Sequence, residues 1–330
     1  MFIFLILTPG IRIGDTLKYH MKTYSSIDEF ARAGIGKTVV TTGTFDGVHL
    51  GHKKILTKVN ELAKTSDAES VLLTFDPHPR IVLFGENSDL QLLSTPDEKK
   101  ELLEKAGIQH LVIHPFTKEL SRLSAGEYIK DVLVKKLHVH YMVIGHDHRF
   151  GKNREGSVKD LKEWAPICGY KVKQLLPLKA NAISISSTKI REAISTGDLE
   201  TANKYLGYIY PITAKVIRGL QLGTELGYPT ANLEVEYRYK LIPVDGIYAV
   251  YAEYEGRTYK AMMSIGMNPT IEGKGRSMEV HIFDFTENIY NKNLRISFYK
   301  KIRNEEKFND LAELKAQLDK DKETVLSILP

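Results

Sequence analysis

Cysteine is nearly absent from this chain: Cys168 is the only one among 330 residues. That excludes an intramolecular disulfide and a cysteine-rich metal site, and it fits the cytoplasm. A membrane-spanning run is lacking as well. The apolar stretch Phe2-Ile3-Phe4-Leu5-Ile6-Leu7 is too short to cross a bilayer. It has neither the basic flank nor the small-residue cleavage site of a signal peptide. Met21-Lys22-Thr23-Tyr24 reads like a natural start. Residues 1–20 are therefore expected to be a spurious or disordered upstream extension, which a native N-terminus at Met1 would refute. No dense Lys/Arg block with interleaved aromatics marks a nucleic-acid stripe, and no internal repeat or low-complexity segment stands out. A net charge of +5 and an isoelectric point near 8.9 suit anionic small molecules as well as nucleic acid, and decide little.

What is present is 42% hydrophobic and 26% charged residues, ordinary for a soluble globular protein, over a length that suggests two domains. Strand-like and helix-like segments alternate through the first half. Val71-Leu72-Leu73-Thr74-Phe75 is a buried-strand run stopped by Asp76-Pro77-His78-Pro79. Asp97 to Ala106 has helical period and ends at Gly107, and Leu111-Val112-Ile113 and Tyr141-Met142-Val143-Ile144 are strands. Ser124 to Leu137 is a helix with Ser124 as N-cap and Glu127 three residues on. This βαβα order predicts a parallel sheet with helices on both faces. Ligands of such sheets sit beyond the carboxyl ends of the strands. After Gly207-Tyr208 short β-rich runs between Ile212 and Phe298 take over, punctuated by Gly, Pro and Asn, and predict a small antiparallel barrel. Glu305 to Leu329 has helical period and closes the chain. The fold class is α/β: a Rossmann-like parallel sheet, then an antiparallel β-barrel with a terminal helix, divided near residues 204–211.

The most informative segment is Thr42-Gly43-Thr44-Phe45-Asp46-Gly47-Val48-His49-Leu50-Gly51-His52. It follows the β-prone run Thr38-Val39-Val40-Thr41 and leads into a helix-like stretch. Strand, glycine-bearing turn and helix in that order bring backbone N–H groups and a helix N-terminus to one point, which attracts phosphate. His49 and His52 add nitrogen donors, and Gly51 leaves room between them. Attack on a nucleotide α-phosphate, where charge develops on oxygen, is the chemistry this arrangement suits. An ordinary strand–turn–helix with surface histidines is the plainer alternative, disfavoured because the glycines, Phe45, Asp46 and both histidines occur together.

The segment resembles the GxFDGxHxGH signature of the HxGH nucleotidyltransferases, and most of all the N-terminal half of the bacterial bifunctional riboflavin kinase/FAD synthetases. Thr74-Phe75-Asp76-Pro77-His78-Pro79 is similar to that family's TFxPHP turn. Gly145-His146-Asp147-His148-Arg149-Phe150-Gly151, followed by Lys152-Asn153, is similar to its GxDFxFGxxxxG loop, with His148 where an aromatic is usual. Ile185-Ser186-Ser187-Thr188-Lys189-Ile190-Arg191 is similar to its ISSTxIR. The resemblance covers the chain from about Met21 and implies an FMN adenylyltransferase domain over residues 21–205. It implies that Gly43, Phe45 and Gly51 let ATP approach the backbone, and that His49 and His52 stabilise the α-phosphate as the FMN phosphate attacks. Ser187, Thr188 and Arg191 would grip the pyrophosphate end. Asp147, Gly151 and Asn153 would position nucleotide or flavin, and Mg²⁺ would bridge the ATP phosphates. Asp46 belongs with the nucleotide-binding set or holds the turn together. Ser187-Thr188 alone would be a plain cap, and Arg191 alone a surface charge.

Gly223-Thr224-Glu225-Leu226-Gly227-Tyr228-Pro229-Thr230-Ala231-Asn232 resembles the family's riboflavin kinase signature GRxxGFPTAN. A kinase domain over residues 206–330 is implied, with Gly223, Gly227, Pro229, Thr230 and Asn232 around ATP. Thr230 and Asn232 offer hard oxygen ligands for Mg²⁺. Glu279, in Met278-Glu279-Val280-His281, is the implied general base for the ribityl hydroxyl, supported by His281 and Asp284. Arg303 would lie beside flavin or nucleotide. The implied partners are riboflavin, FMN, FAD and ATP, with no nucleic acid, membrane or obligatory protein partner. Two alternatives stay open: an FMN adenylyltransferase whose barrel only senses flavin, and an RNA-binding barrel.

One departure generates a prediction. The family usually has Arg after the first glycine of the kinase signature, where this chain has Thr224 and then Glu225; Asn268 likewise replaces a common Arg. Losing a cation and adding a carboxylate near phosphates should weaken ATP binding in the kinase step. Thr224→Arg should lower the apparent ATP constant in steady-state kinetics, and no change would count against the inference.

Overall fold

Six parallel strands form one sheet in the order β1-β4-β3-β2-β5-β6. They are β1 (Lys22–Tyr24), β2 (Thr38–Thr42), β3 (Glu69–Phe75), β4 (His110–His114), β5 (Val139–Ile144) and β6 (Lys171–Gln174). The structure, a computed structural model, describes residues 20–85, 89–180, 183–219, 223, 226–270 and 273–330. The extension expected over residues 1–20 lies outside these apart from His20. All of β2 (TVVTT) and the middle of β3 are buried, as strands covered on both faces must be. Among the described residues six helices accompany the sheet: α1 (Ile27–Arg32), α2 (Leu50–Thr65), α3 (Pro79–Phe84), α4 (Pro96–Lys105), α5 (Ala125–Glu127), which runs on as a π-helix over Tyr128–Val134, and α6 (Val158–Cys168). Of these α3 packs away from the sheet, its Ile81 against Leu90, Leu92 and Tyr237. Phe30, Ile129 and Leu161 pack on one face. Leu56, Val59 and Leu103 pack on the other.

Local chemistry sets the helix starts. Thr95 and Glu98 form a reciprocal capping box at α4, with Pro96 in the first turn, and Ser124 and Glu127 do the same at α5. A two-stranded ribbon, β7 (Lys179–Ala180) with β8 (Ile183–Ser184), leads to α7 (Ser187–Thr196) and α8 (Leu199–Leu206). Ser186 caps α7 by accepting from the Lys189 N–H.

The second half is a closed antiparallel barrel in the order β10-β13-β12-β11-β14-β9. Its strands are β9 (Tyr210–Ile217), β10 (Ala231–Glu234), β11 (Gly246–Tyr254), β12 (Arg257–Thr270), β13 (Gly273–Ile282) and β14 (Asn293–Arg303). Along β11, Tyr248, Val250 and Ala252 face one apolar cluster and Ala249 another, the period of two expected of a pleated strand. Two details differ from the sequence expectation. β10 begins at the last two residues of the kinase-like signature and runs on to Glu234, where no strand was anticipated, because four residues are too few to show a period. The terminal helix α9 (Leu311–Ile328) begins six residues after Glu305, at the Asp310 cap that accepts from the Glu313 N–H.

The two halves share a core. Ile190, Ile194, Leu199, Ala202 and Leu206 of α7 and α8 pack into the same cluster as the barrel's Ile212, Tyr248 and Phe298. A segment of the barrel half, residues 237–241, lies against residues 92–93. Leu92 donates to Tyr239 O at 2.6 Å and accepts from the Leu241 N–H at 2.8 Å. Between them runs a buried ion pair, Lys240 Nζ to Glu98 Oε2 at 2.6 Å, with side chains 0% and 4% exposed. Burial holds the Lys240 ammonium below its usual range against the pull of Glu98. Breaking such a pair strands a charge in low dielectric. Lys240→Met should therefore cost about 3–5 kcal/mol in urea unfolding, with Lys240→Met/Glu98→Gln costing less. A single-variant loss under about 1 kcal/mol would show that the pair is not buried in solution.

Candidate active sites

The first site forms where β2 turns into α2. Phe45, Gly47 and Val48 all have positive φ, +47°, +76° and +34°. Such angles in Phe and a β-branched Val are held only by their surroundings. Gly47 is required twice over, since a Cβ there would come within 2.8 Å of the Leu93 side chain. The turn delivers His49 to the N-cap of α2, where its Nδ1 accepts from the His52 N–H at 3.3 Å. With Nδ1 accepting, the neutral ring carries its proton on Nε2. The His49 and His52 rings stack at 3.7 Å, and Phe45 lies 4.7 Å from His52. A Cβ on Gly51 would press within 3.0 Å of the His49 ring, so glycine is what lets the two imidazoles align. His52 Nδ1 is buried without a partner among the described residues. Burial lowers the His49 pKa to about 4 and that of His52 well below its usual value. Both are neutral hydrogen-bonding groups at neutral pH.

Asp46 organises the surroundings. Its buried carboxylate accepts from the N–H groups of Leu93 and Ser94, at 2.9 and 3.2 Å, and from Arg191 Nη2 at 2.6 Å. Ser187 Oγ donates to the Asp46 carbonyl at 3.1 Å. The ISST segment is thus tied directly to the HxGH turn. The Arg191 guanidinium is engaged by Asp46 and by the Gln91 carbonyl. Thr188 is exposed in the first turn of α7. Asp147 is exposed after β5 and close enough to act on the charge of His49. Gly151, at φ +72°, packs its loop on Ala125, and Asn153 at φ +53° forms the next turn. His148, in the aromatic position, does an aromatic's work by stacking on Phe150 at 5.8 Å.

Pattern matching missed Lys99. It is the fourth residue of α4, and nothing around it in sequence is distinctive. In the fold it lines a cleft with Thr44, Asp76, His78, Ser94 and Tyr237. Its charge reaches His52 and His78.

The second site is built by strand register. β10 pairs with β13 so that Asn232 faces Glu279 across the ladder, and Thr230 Oγ1 donates to Glu279 Oε2 at 3.1 Å. His281 Nδ1 donates to the Pro229 carbonyl at 2.7 Å. Gly223 accepts from the Tyr228 N–H at 2.8 Å, and a Cβ on Gly223 would overlap the Tyr228 carbonyl. Gly227, at φ +82°, completes the turn. Arg303 makes a bidentate pair with buried Asp321 of α9, at 2.9 and 2.7 Å. Asp284, at φ +54°, lies just past β13. Thr224, Glu225 and the Asn268 side chain lie outside the described residues. Thr230, Asn232 and Glu279 offer hard oxygen donors, as a divalent cation on ATP requires. Among the described residues no group of three or more His, Cys, Asp or Glu could hold a metal by itself.

Comparison with known proteins matches these halves to two families. Residues 32–189 match the FAD synthetase model and residues 206–329 the riboflavin kinase model. The chain is 39% identical to the bifunctional riboflavin kinase/FMN adenylyltransferase of Listeria monocytogenes over 86% of its length and 90% of that protein's. It is 36% identical to the protein of the same name from Haemophilus influenzae, over 86% and 92%. A crystal structure described as a macrolide-efflux protein from Streptococcus pneumoniae superposes with a TM-score of 0.83 at 31% identity, covering 92% of this chain and 99% of that one. Among the described residues no helix is long and apolar enough to cross a membrane.

The buried histidines predict a pH response. His49, His78 and His148 are each lowered to about 4, chiefly by burial. The unfolded chain protonates histidine near pH 6.5. Between the two values the unfolded state binds more protons, so stability is full above about pH 6.5 and falls as pH drops toward about 4. The urea midpoint should decline from pH 7 to 5. His148→Phe, which keeps the stacking and removes one titrating ring, should flatten the decline by on the order of 1 kcal/mol at pH 5. An unchanged slope would contradict the burial of His148.

Proposed function

The chain belongs to the bifunctional riboflavin kinase/FMN adenylyltransferases, and from that premise we propose that it makes FMN from riboflavin and then FAD from FMN. The barrel half transfers the γ-phosphoryl group of ATP to the ribityl hydroxyl of riboflavin. The hydroxyl oxygen attacks, Glu279 takes its proton, and ADP leaves. Thr230 hydrogen-bonds Glu279 and orients it. Thr230 and Asn232 are the residues suited to a cation carried by ATP, for which Mg²⁺ is the natural choice. The cation's chemistry, when bound, is to neutralise phosphate charge.

In the first half an FMN phosphate oxygen attacks the α-phosphorus of a second ATP and pyrophosphate leaves. His49, with Nε2–H free to donate, and His52 hold the charge that develops on the α-phosphate oxygens. Ser187, Thr188 and the N-terminus of α7 receive the pyrophosphate. Asp46 positions the turn and Arg191 rather than touching substrate. Gly43, Phe45 and Gly51 shape the floor, and Asp147, Gly151 and Asn153 border the nucleotide. Gly223, Gly227 and Pro229 bring the kinase backbone to its ATP, and Arg303 acts through α9. A cytoplasmic setting suits soluble flavin and nucleotide substrates.

The observation that carries this reading is the Thr230–Glu279 hydrogen bond at the Asn232 register, remote in sequence from the stacked His49–His52 pair. One chain thus holds two separate phosphate-directed sites. Products formed from riboflavin, ATP and Mg²⁺ should appear on chromatography as FMN first and FAD second. Glu279→Gln should slow the first step by about 100-fold or more and spare the second. His49→Ala/His52→Ala should do the reverse, by about 100-fold or more. If either folded variant lost both activities, the two-site assignment would be wrong. FAD formed only from added FMN would make the barrel a flavin sensor.

A further inference from the structure

The cleft beside the HxGH turn is built from both halves of the chain. Thr44 and Asp46 follow β2, Asp76 and His78 follow β3, Ser94 precedes the cap of α4, and Lys99 lies in its first turns. Tyr237 comes from the barrel half. Its segment is fastened by the backbone bonds at Leu92, by the Lys240 N–H donating to the Tyr237 carbonyl at 2.9 Å, and by the Lys240–Glu98 pair. Glu98 immediately precedes Lys99. The clamp that holds the barrel segment therefore also fixes the turn of α4 that presents Lys99.

Lys99 differs from the enclosed Lys240 in its partners. Lys240 has a carboxylate oxygen at 2.6 Å and the Leu93 carbonyl at 2.8 Å. Among the described residues Lys99 Nζ makes two long contacts, to Thr44 O at 3.4 Å and Thr74 Oγ1 at 3.5 Å, both neutral. The Asp46 and Asp76 carboxylates of the same cleft pull on its charge, but among the described residues neither forms an ion pair with it. An ammonium removed from bulk water with two weak acceptors is under-coordinated, and an arriving anion would complete its shell. Two anions enter this reaction. β3 lies on one side of β2 and β5 on the other, so the TFDPHP turn and the Gly145–Asp147 loop flank the histidines from opposite sides. Under the proposed function ATP spans the histidines and α7. The cleft on the β3 side then remains for the attacking phosphate.

Resting on that functional reading, we propose that Lys99 binds the phosphate of FMN in the adenylyltransferase step and that Tyr237 of the barrel half forms the outer wall of this acceptor-phosphate subsite. The dianionic phosphate is drawn to Lys99 and brought beside His52 for in-line attack. Tyr237 covers the phosphate and offers a phenol hydrogen bond; burial raises its pKa to about 12, so the proton stays on. The first active site is thus completed by a residue that neither the HxGH nor the ISST segment supplies.

The test uses full-length protein and two substrates varied separately. Lys99→Met should raise the KM for FMN by about tenfold or more, the loss expected of one charge-assisted hydrogen bond. Its KM for ATP should change by less than about threefold. Tyr237→Ala should raise the KM for FMN by about threefold to tenfold. Riboflavin phosphorylation should be unaltered in both and reports on folding in the same sample. An unchanged KM for FMN, or a rise confined to ATP, overturns the proposal. If Lys99→Met lost kinase turnover as well, Lys99→Gln and Tyr237→Ala would decide by the same criterion. Wild-type protein that forms no FAD from FMN and ATP would defeat the functional reading instead.

Discussion

The carboxylate of Asp46 is the point through which the first half is assembled. A buried charge is tolerable only when its lone pairs are taken up by well-placed donors. Here two backbone N–H groups and the Arg191 guanidinium do this, from segments about 50 and 145 residues away in the chain. The turn that carries His49 is thereby forced into its left-handed angles, and α7 is drawn against it. Leu93 links this charge to the second one. Its N–H donates to Asp46, and its carbonyl accepts from Lys240, which is paired with Glu98. An ion pair within the first half and one that joins the two halves are therefore linked through a single residue. Movement of either would be felt by the other.

The two candidate sites are built in different ways. The HxGH site lies at the carboxyl edge of a parallel sheet, where loops converge from several strands and helix N-termini point inward. Its precision comes from sterics: Gly47 against Leu93, Gly51 against His49, imidazole on imidazole. The barrel site comes from a ladder. Once β10 pairs with β13, Asn232 and Glu279 are opposite one another, and a slip of one residue would turn Glu279 to the other face. Arg303 and Asp321 then pin α9 against the barrel, so the helix contributes rigidity to that end of the molecule.

Much of this was legible in the residues. Alternating strands and helices, then short β runs, pointed to a parallel sheet and a barrel. Gly43 to His52, Ser187 to Arg191 and Gly223 to Asn232 stood out because glycine, proline and capping residues mark turns wherever they fall. Three features were not legible. β10 was too short to show a period. The N-terminus of α9 was hidden because residues 305–309 share the helical composition of the segment after Asp310, and only the Asp310 cap ends the ambiguity. Lys99 was one lysine among many, since side-chain type does not say which lysine will lack an acceptor.

Local elements and the turns that need glycine could be read from the residues alone, because these depend on neighbours a few residues apart. Tertiary structure alone decided which charges meet. Asp46 finds Arg191, Glu98 finds Lys240, and Tyr237 comes to stand beside Lys99 because the packing of α7, α8 and the barrel into one apolar core brings distant segments together. Electrostatic pairing in a buried site is fixed by distance in space. Distance along the chain carries no record of it.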